Sequence, residues 1–148
     1  MKNIEKTSRS IVKVDDKGRI IIPKKYAKDL GGREKATLRY STHKGELQLM
    51  SPDAFEELAT ALNSIAKALR AEGKLSWEQE RRLKRDFFSN SYGVSFDGQN
   101  RITIPKYMIK KFNLSDDRKV RITENEGEIF KILIQNVNSD DSNSDKVD

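Results

Sequence analysis

Two aspartate–arginine pairs with the same spacing are the residues of this sequence best suited to bind an anion. Asp15 is followed by Arg19, and Asp97 is followed by Arg101. In a tight turn an aspartate accepts hydrogen bonds from backbone N–H groups, and it can also pair with a nearby arginine. A guanidinium held in this way can offer its remaining donors to a phosphate or a guanine edge. We therefore predict that the aspartates structure two turns and that the arginines are available to a ligand.

The residues between each aspartate and its arginine also fit a turn. Gly18 in the first copy corresponds to Asn100 in the second. Glycine and asparagine are the residues that best tolerate a left-handed backbone conformation, so their exchange at one position indicates that the turn geometry is kept. We predict that both residues help to shape the turns.

The charge of the chain favours an anionic partner. The net charge is +6, but residues 136–148 carry four aspartates and one lysine, which leaves +9 for residues 1–135. Such an excess is typical of nucleic-acid binding, although a solvated lysine-rich surface is the alternative. Lysines are more frequent around the first pair, so we predict that the first copy dominates, with Arg19 and Lys17 nearest the nucleic acid. The predicted DNA-binding residues are Arg19, Lys17, Lys13, Lys24 and Arg101.

Other chemistries find little support in the sequence. The chain has no cysteine, and its single histidine, His43, cannot form a histidine cluster. Asp15, Asp97 and Glu46 are possible acid–base groups, but no phosphate loop or nucleophile motif accompanies them. We therefore expect no enzyme activity, catalytic residue, metal, cofactor or small-molecule substrate. No apolar stretch has the length of a membrane span or the character of a signal peptide, so we expect a cytoplasmic protein without membrane contact.

Both pairs belong to an internal repeat whose copies are offset by 82 residues. The offset runs without a gap from Val12 and Val94 to Met50 and Ile132. Identical pairs inside it include Ile20/Ile102, Ile22/Ile104, Pro23/Pro105, Lys24/Lys106, Lys28/Lys110 and Arg39/Arg121. A unit of about 40 residues buries too little surface to be stable alone, so we predict that the two copies complete one barrel together.

Each copy predicts a strand, a tight turn, a second strand, a short helix and a hairpin. Short β-branched runs on both sides of each turn indicate the first two strands. Pro23 and Pro105 suit the first position of a helix, where no backbone N–H is needed. The hairpin strands flank residues 44–45 in the first copy and 126–127 in the second, and the last strand is predicted over residues 129–134.

A helical pair separates the two copies. Ser51 and Pro52 predict the start of its first helix, and Gly73 predicts the end. The apolar residues of this helix recur at helical spacing and are predicted to be buried: Phe55, Leu58, Leu62, Ile65 and Leu69.

The second helix of the pair has an apolar side and a basic band. Ser76 and Gln79 predict a capping box at its start. Its apolar side is predicted from Trp77, Leu83 and Phe87. The basic band consists of Arg81, Arg82, Lys84 and Arg85. A solvated face and a second contact, with phosphate or with a neighbouring subunit, both remain open for this band.

The repeated motifs resemble those of a known family. The segments DDKGRIIIPKKY at 15–26 and DGQNRITIPKYM at 97–108, with Glu80-Arg81-Arg82 between them, are similar to the MraZ family of bacterial transcriptional regulators over roughly residues 8–134. Each copy also resembles the AbrB-type swapped-hairpin half-barrel, in which two β-β-α-β-β units interleave. The resemblance implies a nucleoid-associated regulator that binds double-stranded DNA and assembles into a homo-oligomeric ring. It also implies action on repeated promoter boxes of the division and cell-wall gene cluster, including the promoter of its own gene.

These observations together predict the organisation of the whole chain. We expect an α+β fold with two β-β-α-β-β half-barrels, of the AbrB-like swapped-hairpin type, in one chain with an inserted helical pair. The first repeat is placed at residues 8–50, the helical pair at 51–89 and the second repeat at 90–134. Residues 135–148 are polar and acidic and are predicted to be a disordered tail.

Two other functions stay open at this point. An AbrB-like transition regulator or an antitoxin would use the acidic tail to bind a protein partner. Such proteins usually carry one swapped-hairpin unit per chain, so the internal duplication argues against them. A structural ring protein without DNA is the other possibility, and the basic core argues against it.

Overall fold

The computed structural model describes residues 9–30, 35–127 and 129–137, which form eight strands and four helices. The strands are β1 (Arg9–Lys13), β2 (Arg19–Ile21), β3 (Lys35–Ser41), β4 (Glu46–Met50), β5 (Ser91–Ser95), β6 (Arg101–Thr103), β7 (Lys119–Asn125) and β8 (Lys131–Asn136). The helices are α1 (Lys24–Asp29), α2 (Pro52–Ala71), α3 (Trp77–Ser89) and α4 (Lys106–Phe112). The predicted boundary at residue 8 and the tail residues 138–148 lie outside the described residues.

The strands of the two copies are interleaved. Six strands form one antiparallel sheet in the order β1-β7-β8-β4-β3-β5, and β2 and β6 form a separate two-stranded ribbon. In the large sheet, β1 of the first copy pairs with β7 of the second, and β5 of the second pairs with β3 of the first. The ribbon takes one strand from each copy. Neither copy completes its strand pairing alone, and the predicted α+β class is confirmed.

One hydrophobic core serves both copies. Its fully buried side chains include Ile20, Leu38 and Leu49 from the first copy and Ile102, Ile122 and Ile134 from the second. Burying one such side chain contributes roughly 1.5–3 kcal/mol relative to leaving it exposed. Separation of the copies would therefore expose apolar surface on both of them.

The offset between the two copies changes after the short helices, although their aligned sequences show no gap. The first two strands of each copy keep the offset of 82, but β7 begins two residues later than β3 predicts. The prediction of a gapless repeat was therefore wrong after the short helices. Because side chains alternate with a period of two, a shift of two residues leaves the same side chains on the buried face.

The two prolines were predicted at the first helical position, but each lies one residue before it. Pro23 and Pro105 occupy the N-cap positions, with extended ψ angles of 139° and 145°, so α1 and α4 begin at Lys24 and Lys106. Each proline still starts its helix, because its carbonyl oxygen accepts the first helical hydrogen bonds. The carbonyl of Pro23 accepts the N–H of Tyr26 at 2.9 Å, and that of Pro105 accepts the N–H of Met108 at 3.0 Å.

The helical pair is fastened by caps and by one buried carboxylate. The predicted capping box of Ser76 and Gln79 at the start of α3 is confirmed. Glu80 is buried and accepts Arg70 of α2 and Lys84 of α3, each at 2.9 Å. The Glu80 carboxylate therefore joins the two helices. Its ion pair with Lys84 also neutralises one residue of the predicted basic band.

The predicted burial of the apolar residues of α2 and α3 was wrong in part. Ala66 is the one fully buried residue of α2, whereas Ile65 is 58% exposed. In α3, Phe87 is buried and stacks on Phe55 at 5.2 Å between ring centroids, but Trp77 is 59% exposed. Leu83 is exposed as well. Helical spacing predicts a shared face, but how much of that face is covered depends on the elements packed against it.

The last strand differs from its predicted bounds at both ends. β8 begins at Lys131 rather than at residue 129, and it runs to Asn136, two residues into the predicted tail. The side-chain amide of Asn136 donates to the carbonyl oxygens of Phe112 at 3.1 Å and Asn113 at 3.2 Å. Asn136 is therefore tied to the end of α4, a contact distant in sequence.

The contact between the two copies at Gly18 predicts how substitution of this glycine changes the free energy of unfolding. It has a φ of +83°, and a Cβ at this position would lie 2.9 Å from the carbonyl oxygen of Ile104 in the other copy. Gly45 is a matched control, because its φ is +66° and nothing lies within 4 Å of its Cβ position. We expect Gly45→Ala to lower the free energy of unfolding by about 1 kcal/mol from backbone strain alone. We expect Gly18→Ala to lower it by about 2–4 kcal/mol, because the backbone of the second copy must also move.

Urea unfolding followed by circular dichroism measures both losses. Equal losses for the two variants would show that the close approach of Gly18 to Ile104 does not contribute to stability.

Candidate functional site

The first turn is built around the carboxylate of Asp15. One oxygen, Oδ1, accepts the backbone N–H groups of Lys17 at 2.9 Å and Arg19 at 2.8 Å. The other oxygen, Oδ2, accepts the Nε–H of Arg19 at 2.7 Å. Gly18 closes the turn by donating its N–H to the Asp15 carbonyl at 3.0 Å. A single side chain thus holds both the backbone of the turn and the arginine that follows it.

The second turn repeats this geometry. Asp97 Oδ1 accepts the N–H groups of Gln99 and Arg101, both at 2.9 Å, and Oδ2 accepts the Nε–H of Arg101 at 2.8 Å. Asn100 has a φ of 62° and donates its N–H to the Asp97 carbonyl at 3.0 Å. The exchange of glycine for asparagine therefore keeps a left-handed residue at this position.

Each arginine has donors to spare. The predicted pairing of each aspartate with its arginine is present, and both guanidiniums use only Nε for it. The Nη groups of Arg19 and Arg101 make no hydrogen bond to any residue that the structure describes. Because the aspartate fixes the plane of the guanidinium, these groups are pre-organised for a planar acceptor.

Both carboxylates are held in the ionised form. The pKa of Asp15 is lowered to about 2, mainly by the hydrogen bond from the backbone N–H of Arg19. The pKa of Asp97 is also lowered, mainly by the backbone N–H of Arg101. Groups with lowered pKa values of this kind stay anionic near neutral pH, so they suit structural roles and not proton transfer.

The ribbon brings the two arginines together on one face. In the pairing of β2 with β6, Arg19 lies opposite Thr103 and Ile21 lies opposite Arg101. Ile20 and Ile102 pair between them and point into the core. Side chains alternate along a strand, so both arginines lie on the outer face, at a diagonal spacing of about 7–8 Å between their Cα atoms. Their side chains are 34% and 25% exposed.

Hydrogen bonds between the copies fix the two turns relative to each other. The N–H of Ile104 donates to the carbonyl of Gly18 at 2.8 Å, and the N–H of Ile22 donates to the carbonyl of Asn100 at 3.0 Å. The side-chain amide of Asn100 also donates to the carbonyl of Ile22. The strand after each turn is therefore bonded to the turn of the other copy, and the two arginines share one rigid support.

Arg118 supports the first turn from the second copy, a role that the sequence did not reveal. Its Nε donates to the Val14 carbonyl at 2.9 Å, and its Nη2 donates to the Asp15 carbonyl. Its own carbonyl accepts the N–H of Val14 at 2.8 Å. Arg118 has a φ of 57°, a left-handed conformation unusual for arginine. In the sequence, Ser115 to Asp117 indicate a turn before Arg118, but they do not show which residues Arg118 contacts.

The predicted lysines lie along the edges of this region and are exposed. Lys17 is in the first turn, Lys24 begins α1 directly after the ribbon, and Lys13 ends β1. Lys13 lies opposite Lys119 of β7, a lysine that sequence reasoning missed. At the equivalent positions of the second copy, Lys106 begins α4, but serine and glutamine replace the other two lysines. The first half of the ribbon is therefore the more basic half.

Of the possible acid–base groups, Asp15 and Asp97 structure the two turns, whereas Glu46 lies in the other sheet, as does the turn that carries the single histidine. Glu46 is buried and accepts the side-chain amides of Gln48 and Gln135, both at 2.9 Å. His43 is exposed in the turn between β3 and β4. Among the residues that the structure describes, no cluster of three or more metal-ligating side chains occurs, and no helix is long and apolar enough to cross a membrane.

The basic band of α3 is divided into two parts. Lys84 pairs with Glu80, whereas Arg81, Arg82 and Arg85 are exposed and line a shallow open cleft with Glu78. These three arginines make no hydrogen bond or ion pair with the described part of the chain. They form a second cationic surface, on an element separate from the ribbon.

A curated relative is similar over most of the chain. The chain is 27% identical over 117 residues to the transcriptional regulator MraZ of Mycoplasma mobile, in an alignment that covers 79% of this chain and 73% of that protein. No protein-family model matches the chain. This relative is a transcriptional regulator.

The two turn aspartates generate a prediction about acid stability. The pKa of Asp15 is lower in the folded protein than its ordinary value of 3.8. Its carboxylate therefore stabilises the fold fully above about pH 4, and this stabilisation is lost as the pH falls through about 2. We expect the wild type to be more stable than Asp15→Asn at pH 5, and we expect the difference to shrink steadily between pH 4 and pH 2.

Urea unfolding at a series of pH values measures this difference. Asp16→Asn is the matched control, because the Asp16 side chain accepts no hydrogen bond from the described residues. If both variants changed the pH profile equally, the turn carboxylate would have no special role in the fold.

Proposed function

We propose that this chain is a sequence-specific, DNA-binding transcriptional regulator of the MraZ type and that the β2–β6 ribbon is its DNA contact. The observation that carries the proposal is the placement of Arg19 and Arg101 on one exposed face. Each arginine is held at Nε by its aspartate, and neither of its Nη groups bonds to a described residue. The similarity to the MraZ protein of Mycoplasma mobile supports the same function.

The shape of the ribbon fits duplex DNA. The major groove admits a two-stranded β-ribbon, and arginine is the side chain that most often makes a bidentate contact with guanine. Arg19 and Arg101 are the groups proposed to contact bases or phosphates at the centre of the interface. Lys13, Lys17 and Lys24 lie at its edges, where they suit phosphate contacts that position the protein.

The first copy is proposed to contribute more to binding than the second. All three predicted DNA-binding lysines belong to the first copy, whereas the second has only Lys106 at the equivalent positions. Arg19 and Lys17 are therefore proposed to lie nearest the nucleic acid. Asp15, Gly18, Asp97 and Asn100 serve this interface indirectly, because they set the shape of the two turns.

The architecture is proposed to follow the swapped-hairpin plan. In this view residues 8–50 and 90–134 are two half-barrels of the AbrB type, and residues 51–89 are a helical insert. The exchange of β1 and β5 between the copies supports this plan.

Assembly into a homo-oligomeric ring is part of the proposal. A single module that relies on phosphate contacts binds DNA with a Kd of roughly 10⁻⁴–10⁻⁶ M at physiological salt. Several ribbons on several repeated boxes raise the apparent affinity by about 10²–10⁴ through effective concentration. Exposed apolar side chains on the helical pair, including Ile65, Trp77 and Phe88, are available for contacts between subunits.

The proposed targets are repeated promoter boxes of the division and cell-wall gene cluster, including the promoter of its own gene. The proposed location is the cytoplasm, in association with the nucleoid.

Substitution of Arg19 tests the proposed interface. Fluorescence anisotropy would compare a duplex from upstream of the protein's own gene with a shuffled duplex over a series of salt concentrations. We expect Arg19→Ala to weaken binding to the native duplex by about 5–150-fold, the range for one arginine–base contact. We expect Lys17→Ala to weaken binding to both duplexes and to reduce the salt slope by about 1.

The fold should survive Arg19→Ala, because Asp15 keeps both of its backbone hydrogen bonds. Lys67→Ala removes the same charge from an exposed position on α2 and serves as the control. Full affinity in a folded Arg19→Ala protein, or an equal loss in Lys67→Ala, would contradict the ribbon as the DNA contact.

A further inference from the structure

We propose that Ile21 reads the methyl group of a thymine in the major groove, and that the difference between Ile21 and Thr103 makes each ribbon read its DNA box in one direction. This inference rests on the proposed function, since it assigns base recognition to the same ribbon. It concerns two residues of the repeated motifs that were not among the predicted DNA-binding residues.

Ile21 stands out by its place in the ribbon. Its side chain is 53% exposed, while the neighbouring isoleucines Ile20 and Ile22 are fully buried. A single exposed apolar residue is ordinary on a protein surface. Ile21, however, lies directly opposite Arg101 and on the same face as Arg19. A large apolar side chain on the same face as two guanidiniums suits a ligand that presents both apolar and acceptor groups.

The major groove of DNA presents both groups within one or two base pairs. Guanine offers two acceptors, O6 and N7, and thymine offers a C5 methyl group. Side chains of a directly opposed pair lie about 4.5–5.5 Å apart at their Cβ atoms, which is between one and two of the roughly 3.4 Å steps between stacked bases. When Arg101 contacts a guanine, Ile21 is therefore within reach of the neighbouring base edge.

The pseudo-symmetry of the ribbon is broken at this position. Thr103 is the counterpart of Ile21, is also exposed, and lies opposite Arg19. Threonine offers a hydroxyl group that serves as donor or acceptor and a methyl group that can contact thymine, so it accepts more than one base, whereas isoleucine offers apolar contact only. The two arginines alone would read an inverted repeat, but the Ile21 end selects thymine more strictly than the Thr103 end. The box read by one chain is therefore asymmetric.

A protein partner fits this face less well than DNA does. An apolar protein surface that covered Ile21 would also have to bury Arg19 and Arg101, which already donate to their own aspartates through Nε. Burial of two guanidiniums without further acceptors is costly. DNA supplies those acceptors at the same place.

Replacement of single thymines by deoxyuridine tests the inference, because it removes the methyl group and nothing else. The experiment uses the full chain and the native upstream duplex, with anisotropy titrations of a panel that carries one replacement per duplex. We expect one replacement within each box to weaken wild-type binding by about fourfold, the effect of one buried methyl group. We expect Ile21→Ser to lose this sensitivity, Thr103→Ser to keep it, and Thr103→Ile to gain a second sensitive position on the other side of the box.

The possible outcomes distinguish failure of the proposed function from failure of the Ile21 inference alone. If the wild type does not prefer the native duplex to a shuffled one, both the proposed function and the inference fail. If it binds specifically and depends on Arg19, but no deoxyuridine replacement matters, the inference alone is overturned. If Ile21→Ser changes the oligomer mass in light scattering and leaves the deoxyuridine profile intact, Ile21 contacts another copy of the chain, which also overturns the inference.

Discussion

The candidate site depends on the hydrogen bonds that the aspartate carboxylate at the start of each turn accepts. One oxygen of Asp15 accepts two backbone N–H groups, and the other accepts the Nε–H of Arg19. Because one rigid group makes both contacts, the backbone shape of the turn and the orientation of the guanidinium are set together. Asp97 does the same for Arg101. The sequence offered a structural role for the aspartate and a binding role for the arginine, and in this geometry the first role makes the second possible.

Duplication is the second constraint, because each turn is completed by the other copy. The carbonyl of Gly18 accepts a hydrogen bond from Ile104, and the carbonyl of Asn100 accepts one from Ile22. The ribbon itself needs one strand from each copy. A single repeat would have neither the ribbon nor the paired arginines, so the site exists only in the combined fold. Arg118 adds a support to the first turn, and the first half also carries more of the exposed lysines. The pseudo-symmetric site is therefore uneven in charge.

The sequence predicted the parts of the site that depend on near neighbours. The turns follow from contacts between residues two to four apart, so Asp15, Gly18 and Arg19 and their counterparts could be recognised from spacing and residue type. The pairing of Arg19 with Thr103 could not, because it joins strands that are distant in the chain and no local pattern fixes their register. The two-residue shift between β3 and β7 was hidden for a related reason, since it preserves the alternation of buried and exposed side chains. Burial on α2 was overpredicted at Ile65, because helical spacing describes a face and says nothing about what covers it. The end of β8 was placed too early, because Asn136 is fixed by the backbone of α4.

The central claim is that both arginines of one ribbon enter the same groove of DNA. A cryo-electron microscopy structure of the protein bound to the duplex from upstream of its own gene tests this claim most directly. The account predicts that the Nη groups of Arg19 and Arg101 lie within hydrogen-bond distance of base edges or phosphates of one major groove, with both Asp–Arg pairs intact. A complex in which the ribbon faces away from the duplex, and the phosphates lie against Arg81, Arg82 and Arg85 of α3, would contradict it.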